Sequence, residues 1–385
     1  MWNSFEIGNN MKICLMGDAQ SIHLHRWANY FIKNGHDVHI ITTKPKKIKG
    51  AKIHDISFLN KEDPKIRVID YFIYKYREYR SILILKNLLN EIKPDILNSH
   101  YMTFYGIMGS KLNFHPYIIT CWGSDVLLVP NILGETYVKR MKKAFRKTDL
   151  ITVESEHMNK SIEQLGINDR VEVVRHGVDL NKFNLDAGTD ANLKQDIKSN
   201  DDIVIISTRN FEPKYNISCI IKGFHLLQKK IPNVKLILLG AGSMERQLKT
   251  LVKRLNISEK TLFFGHISHD EMPKYFGLSD IYVSSSLSDA MSVSKLEAMA
   301  CGLIPVVSDI PANREVINDG ENGFIFKNNP DNLSKKLSYC IKNYDKIKEN
   351  VIKSNLKIIE ETFNWNENME AMYKLYKNVC EPVNR

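Results

Sequence analysis

The sequence predicts an α/β protein made of two parallel-sheet units in succession, each sheet covered by helices on both faces. Three observations carry this. Short apolar runs of strand length recur along the chain with stretches of helical period between them, which is the alternation that builds buried parallel sheets. The alternation breaks once, over the Asn-, Asp- and Lys-rich stretch from Asn181 to Asp202, and then restarts. Finally, 385 residues of which 43% are hydrophobic can bury more than one core. Two lobes with a cleft between them are expected.

The first element is the apolar run Lys12 to Met16, ended by Gly17-Asp18. Leu24, Trp27, Ala28, Phe31 and Ile32 then mark one face of a helix, Gly35 its turn, and Val38 to Ile41 the next strand. Further strands are expected at Ile96 to Asn98, Tyr117 to Thr120, Leu150 to Val153 and Val171 to Val174. After the break come Ile203 to Ser207, a helix through Phe224 and Leu227, and Val234 to Leu239. A helix around Leu248 to Leu255 and strands at Thr261 to Phe264, Ile281 to Ser284 and Ile304 to Val307 complete the second unit. The tail from Trp365 through Met369, Met372, Tyr373 and Tyr376 reads as a last amphipathic helix. The resulting boundaries are a first lobe over 11–185, a linker over 186–202, a second lobe over 203–360 and a closing segment over 361–385, expected to return to the first lobe. Met11 immediately precedes the first strand, so residues 1–10 read as a dispensable extension or a mis-assigned start.

Composition bounds the function. A net charge of +10 and a pI of about 9.1 favour an anionic partner, and nucleic acid, anionic lipid and a phosphorylated substrate all qualify. The six cysteines, at 14, 121, 219, 301, 340 and 380, form no C-x-x-C pair and no His/Cys cluster, so neither a disulfide framework nor a zinc site is indicated. A reducing cytosol fits best. Nothing resembles a signal peptide or a run of the ~20 apolar residues that span a bilayer, so any membrane association is expected to be peripheral, on the inner face of the plasma membrane. Charge is densest at Lys139, Arg140, Lys142, Lys143, Arg146 and Lys147, interleaved with Tyr137, Val138, Met141, Ala144 and Phe145. This basic amphipathic helix over 137–147 reads either as a core-packed helix with a solvated face or as a dock for an anionic membrane. A nucleic-acid reader motif is not recognisable, and the basic run is short.

The most informative segment runs from Ser284 to Gly302, with Asp289 and Glu297 eight positions apart. The first acid falls in a loop of small polar residues and the second about a turn into a helix, so both carboxylates can face one ligand at a helix end rich in spare N–H donors. The other reading is a capping box: Ser294 and Glu297 have its spacing, which would make Glu297 a local closure and Asp289 an ordinary loop acid. Upstream, Ser207-Thr208-Arg209-Asn210-Phe211-Glu212-Pro213-Lys214 offers a guanidinium and an ammonium that can neutralise a diphosphate. Leu238-Leu239-Gly240-Ala241-Gly242 and Phe263-Phe264-Gly265-His266-Ile267 look like further strand ends, with His266 open to a loop role or a ligand role. No D-x-D occurs, so no metal bridging a diphosphate is suggested.

These motifs, across nearly the entire chain, resemble the family 4 glycosyltransferases, retaining enzymes of the GT-B fold with two Rossmann-like lobes facing each other across a cleft. The resemblance implies that Arg209 and Lys214 hold the donor diphosphate, that the first acid meets the donor sugar and the second, Glu297, the ribose. The family usually has glutamate where this chain has Asp289. Donor-side contacts are implied for Gly17, Asp18, Gly240, His266, Ile267, Met291, Ser292 and Val293 as well. Gly17-Asp18-Ala19-Gln20-Ser21 resembles the family's first loop, and Val174-Arg175-His176-Gly177-Val178-Asp179 the segment that shapes the hinge. Cys121-Trp122-Gly123-Ser124-Asp125 falls where many members place a histidine near the reacting carbon. With Trp122 there instead, His23, His100 and Asp125 are the acceptor-side candidates, each equally readable as structural.

The activity so implied is metal-independent transfer, with retention, of a hexose or N-acetylhexosamine from a nucleotide-sugar co-substrate, UDP-linked ahead of GDP-linked. The acceptor expected is a lipid-linked or surface-glycan precursor. The alternatives are a soluble acceptor, a non-hydrolysing sugar-nucleotide epimerase and, more remotely, a nucleic-acid-binding protein.

Overall fold

The computed structural model describes residues 10–60, 69–167, 170–186 and 202–381, with 188, 193, 195 and 197 as single positions. The chain divides into two compact units, one of residues 1–174 with 369–385 and one of residues 175–368. Among the described residues, the first unit holds seven strands: β1 Lys12–Met16, β2 Asp37–Thr42, β3 Lys52–Asp55, β4 Ile96–His100, β5 Tyr117–Thr120, β6 Leu150–Val153 and β7 Val171–Val173. They pair in the order β3-β2-β1-β4-β5-β6-β7, all parallel. The second unit's described strands are β8 Ile203–Ser207, β9 Val234–Leu239, β10 Thr261–Gly265, β11 Ile281–Ser284, β12 Ile304–Ser308 and β13 Phe324–Phe326. Their order is β10-β9-β8-β11-β12-β13, again parallel.

Strand alternation explains how one sheet carries two cores. In β8, Ile205 joins the cluster on one face while Val204 and Ile206 join the cluster on the other; in β9, Leu236 and Leu238 part from Ile237 and Leu239 in the same way. Successive side chains point to opposite faces, so a sheet buried on both sides needs apolar residues at every position. Helix Ile217–Gln228 closes one face with Ile217, Ile220, Ile221, Phe224 and Leu227. Gly223 allows close approach there, since a Cβ at this position would lie 2.8 Å from Leu333 of helix Pro330–Lys342. Helix Val293–Ala300 packs on the opposite face through Leu296, Met299 and Ala300.

The first unit is built likewise. Helix Ile22–Lys33 buries Leu24, Trp27, Ala28 and Phe31, the spacing of one helical stripe. Helix Trp365–Cys380 starts in the second unit and continues into the first. There Met369, Met372 and Tyr376 are buried, Tyr376 stacks on Phe31 at 5.2 Å, and the Asn98 amide donates to its hydroxyl at 2.6 Å. That bond satisfies two polar groups deep in an apolar core.

Several expectations shift. The first unit ends at Val174, eleven residues before the boundary at 185, because the chain pairs with the second unit from Val178 onward. Val178 bridges Asn364, and Gly177 packs so tightly that a Cβ would lie 2.4 Å from the Trp365 backbone. The linker expected over 186–202 lies mostly outside the described residues, as do residues 1–9 of the expected extension. The basic segment belongs to a longer stretch, Val129–Phe145, interrupted at Gly134 (φ 69, ψ −166); Arg146 and Lys147 lie beyond its end because the helix closes at Phe145. Tyr137, Met141, Ala144 and Phe145 are buried, and Lys139, Arg140, Lys143, Arg146 and Lys147 are exposed. Strands β3 and β13 were not expected. None of the described helices is long and apolar enough to cross a membrane.

Candidate active site

In an open parallel sheet the strand order reverses at one place, and the loops leaving the two flanking strands diverge there to open a crevice at the carboxyl ends. In the second unit this point lies between β8 and β11. Arg209 follows β8 and Asp289 follows β11, eighty residues apart in sequence, and they meet: Arg209 Nη2 donates to Asp289 Oδ2 at 2.6 Å. Arg209 Nη1 donates to Ser292 Oγ at 2.8 Å. The same oxygen is the N-cap of helix Val293–Ala300, accepting from the Lys295 N–H at 3.3 Å. One serine thus fixes both the helix end and the guanidinium. Burial is the largest influence and opposes the charge on Arg209, but the Asp289 carboxylate together with Tyr282 and Tyr215 outweighs it and holds Arg209 above its ordinary range.

Lys214 joins this group through Tyr215. The Arg209 guanidinium carbon lies 4.3 Å from the Tyr215 ring centre and Lys214 Nζ 4.8 Å from it, so one aromatic ring carries two cations. The serine run explains how this turn is held. Ser285 Oγ donates to the Tyr215 and Asn216 carbonyls at 3.0 and 2.8 Å, and the Leu287 N–H donates to the Lys214 carbonyl at 2.8 Å. Small hydroxyl side chains fit a buried loop whose carbonyls need donors. Gly240 is needed for the same packing: its φ is +145°, and a Cβ would lie 2.7 Å from the Arg209 carbonyl oxygen.

The remaining donor-side residues divide. His266 is exposed and Ile267 half-buried beyond β10, with Ile267 packed against the core. Met291 is 5% exposed and belongs to the core cluster, so its side chain is structural. Val293 is half-buried on the first turn of its helix. Glu297 does not form the capping box that its spacing with Ser294 suggested. Ser292, not Ser294, is the N-cap, Ser294 Oγ pairs with the Tyr282 hydroxyl at 3.0 Å, and Glu297 Oε1 lies 2.6 Å from His269 Nε2. Glu297 is nearly buried, at 4% side-chain exposure.

No sequence pattern points to Lys295. It sits at 0% exposure with Nζ donating to Asn313 Oδ1 at 3.2 Å and to the Ala312 carbonyl at 3.4 Å. Burial pulls it down to about 8, against the attraction of Asp289. Tyr215 and His269 were also missed. The only available signal was position, Tyr215 following Lys214 and His269 lying four residues past Gly265.

The first unit has its own reversal point, between β1 and β4. Gly17 ends β1 against His100 at the end of β4, where a Cβ on Gly17 would lie 3.1 Å from that of His100. Trp122, just past β5, meets His23 at 4.7 Å and His100 at 5.4 Å between ring centres. These three candidates therefore cluster. Asp18 turns aside, pairing with Lys44 at 2.9 Å and accepting from the Gln20 N–H at 2.8 Å. Asp125 is fully buried and accepts from the backbone N–H of Met102 at 2.8 Å and of Trp122 at 3.1 Å. Its carboxylate is a clamp on the strand ends, raised to about 6 by burial, and this fixes the loop that presents Trp122. Tyr101 adopts φ 79° and ψ 118°, a costly backbone state for a non-glycine residue, and its hydroxyl lies 2.8 Å from Ser124 Oγ.

Comparison with known proteins follows the same division. Residues 189–358 match the family Glycosyl transferases group 1, and residues 12–155 match the family Glycosyl transferase 4-like. An uncharacterized glycosyltransferase of Methanocaldococcus jannaschii is 26% identical over 352 residues, covering 90% of this chain and 91% of its own. The alpha-monoglucosyldiacylglycerol synthase of Streptococcus pneumoniae is 22% identical over 311 residues, covering 76% of this chain and 68% of its own. Among solved structures, Anabaena HepE in complex with UDP and glucose superposes with a TM-score of 0.78 at 16% identity, over 96% of this chain and 100% of that one.

Proposed function

From the premise that this chain belongs to the glycosyl transferases group 1 family and is a glycosyltransferase of the GT-B fold, we propose that it moves a hexose or N-acetylhexosamine from a UDP-sugar to a lipid-linked or surface-glycan precursor, with retention and without a metal. The observation that carries the proposal is the cationic group at the β8/β11 reversal. Arg209, locked by Asp289 and Ser292, stands at the start of helix Val293–Ala300, and Lys214 shares the Tyr215 ring with it. An N-terminal helix end and two fixed cations suit a diphosphate. The HepE complex with UDP and glucose supports UDP, and the relative named for a glucosylated diacylglycerol supports a lipid-linked acceptor.

In this reading catalysis is leaving-group stabilisation. As the bond between the anomeric carbon and the phosphate oxygen breaks, charge builds on the nucleotide phosphate and meets donors already oriented, each worth on the order of 3 kcal/mol. The acceptor oxygen attacks on the same face, and its proton passes to the departing phosphate. Asp289 meets the sugar hydroxyls and Glu297 the ribose.

The exposed basic stretch of Lys139, Arg140, Lys143, Arg146 and Lys147 supports docking of the first unit on an anionic membrane, and hence a cytoplasmic, peripheral location. Ile132 and Leu133, 76% and 57% exposed, precede it and would enter the headgroup layer. Neutralising Lys143, Arg146 and Lys147 removes about 1 kcal/mol of lipid attraction each, so the triple variant should leave phosphatidylglycerol vesicles in a flotation assay. Unchanged flotation, or none by the natural chain, counts against docking.

A thermal-shift panel of UDP- and GDP-sugars tests the donor, because a ligand of the folded state raises the melting temperature with occupancy. UDP-sugars should raise it and GDP-sugars should not. If no nucleotide sugar does, the reading fails.

A further inference from the structure

Glu297, the acid read above as the ribose acceptor, is held by a chain of three more side chains, all within the second unit. Glu297 Oε1 lies 2.6 Å from His269 Nε2. On the other side of the imidazole, Lys182 Nζ lies 3.0 Å from His269 Nδ1, and Lys182 also pairs with Asp270 at 2.5 Å. An ammonium only donates. His269 Nδ1 must therefore accept from Lys182, which leaves Nε2 carrying the proton that points at Glu297. The tautomer is set by the lysine.

This arrangement is built rather than incidental. Phe183, fully buried, packs against the imidazole at 5.1 Å and lies 5.5 Å beneath Lys182 Nζ, so one rigid ring positions both groups. Glu297 sits on a helix whose residues Lys295 to Ala300 are all buried, and a buried carboxylate needs a hydrogen-bond donor beside it. A vicinal diol can give two O–H donors to a carboxylate only when that carboxylate is correctly rotated. A histidine N–H on one oxygen secures that rotation and leaves the carboxylate with acceptor capacity.

We infer that His269 is a positioning residue for the donor ribose: it holds Glu297 in the rotamer that receives the ribose hydroxyls, and Lys182 holds His269 in the required tautomer. The inference rests on Glu297 being the ribose acceptor, and the experiment separates the two claims.

Calorimetric titration of the full chain with UDP and with 2′-deoxy-UDP gives the ratio of their dissociation constants. A hydrogen bond to a charged group is worth enough that the natural chain should prefer UDP by roughly 10- to 100-fold. Glu297→Ala should bring the ratio close to one. His269→Ala should lower it by about tenfold, by weakening UDP while leaving 2′-deoxy-UDP within about twofold, and Lys182→Met should lower it less. His269→Gln, whose amide can still donate to Glu297, should restore most of the preference. A merely structural histidine would weaken both nucleotides equally. If Glu297→Ala abolishes the preference and His269→Ala keeps it, the positioning role is overturned and the ribose site stands. If Glu297→Ala keeps it, or UDP does not bind at all, the ribose reading falls and takes this inference with it.

Discussion

Replacing Lys295 by methionine tests how the site carries its charge. The lysine is wholly buried and drawn by that burial from its ordinary 10.5 to about 8. Below about pH 8 both folded and unfolded chains hold the proton, and the folded state carries the whole cost, about 3 kcal/mol at 1.4 kcal/mol per pH step. Between about pH 8 and 10.5 the unfolded chain binds more protons than the folded one, so the natural protein gains stability as pH rises through that window. Methionine is of similar length and has nothing to titrate. It also abandons the Asn313 and Ala312 oxygens, costing about 1–3 kcal/mol at every pH, so the slope and not the offset is diagnostic. Urea unfolding of both proteins, followed on the transition of the second unit, should show the natural chain gaining about 2 kcal/mol on the variant between about pH 7 and 9.5. Other titrating groups are common to both proteins and cancel. A difference that stays constant over this range would refute the buried-cation reasoning.

Three further outcomes follow from the described contacts. Arg209→Lys cannot reach Asp289 and Ser292 at once, so turnover should fall about 10²- to 10³-fold while the circular dichroism spectrum is retained; undiminished transfer would remove Arg209 from the site. Gly177→Ala places a Cβ 2.4 Å from the Trp365 backbone and should lower stability by about 1–3 kcal/mol, measured as a reduced urea midpoint. Asp125, raised by burial from 3.8 to about 6, supplies stability that is complete below about pH 4 and lost as pH rises to 6. The natural chain should therefore gain on Asp125→Asn when unfolding is repeated at about pH 4.5 instead of 7, by about 2 kcal/mol, and a pH-independent gap would contradict this.

Much of the fold was legible because buried parallel strands are continuous apolar runs. Lys12–Met16, Tyr117–Thr120, Ile203–Ser207 and Ile281–Ser284 stand in the structure where the sequence put them. The strands that escaped are at sheet edges and lack that signature: Lys52–Asp55 is a short edge strand with no buried residue, and Phe324–Phe326 has only three residues. The site was legible as residue types near strand ends, but not as pairs. Nothing in the order of residues says that Arg209 reaches across to Asp289, since this depends on β8 and β11 being neighbours. Lys295 was hidden by the same burial that makes it interesting. A helix enclosed on every side from Lys295 to Ala300 has no outer face on which a lysine would normally lie, so helical period could not mark the exception. Glu297 shows the opposite failure: a local rule proposed Ser294 as its partner, and a distant histidine took it.

The last helix carries a consequence for how the protein is made. Its first residues belong to the second unit, and its later ones, Tyr376 among them, fill the core of the first. A ribosome delivers chain from the N-terminus onward, and domains ordinarily mature in that order. Here the first unit must wait with the Asn98 amide and the Phe31 ring unsealed until the chain has emerged through Tyr376. The unit begun first closes only after the second unit's residues 175–368 have been made, and a nascent chain stalled short of Tyr376 exposes an incomplete interior to the quality-control machinery of the cell.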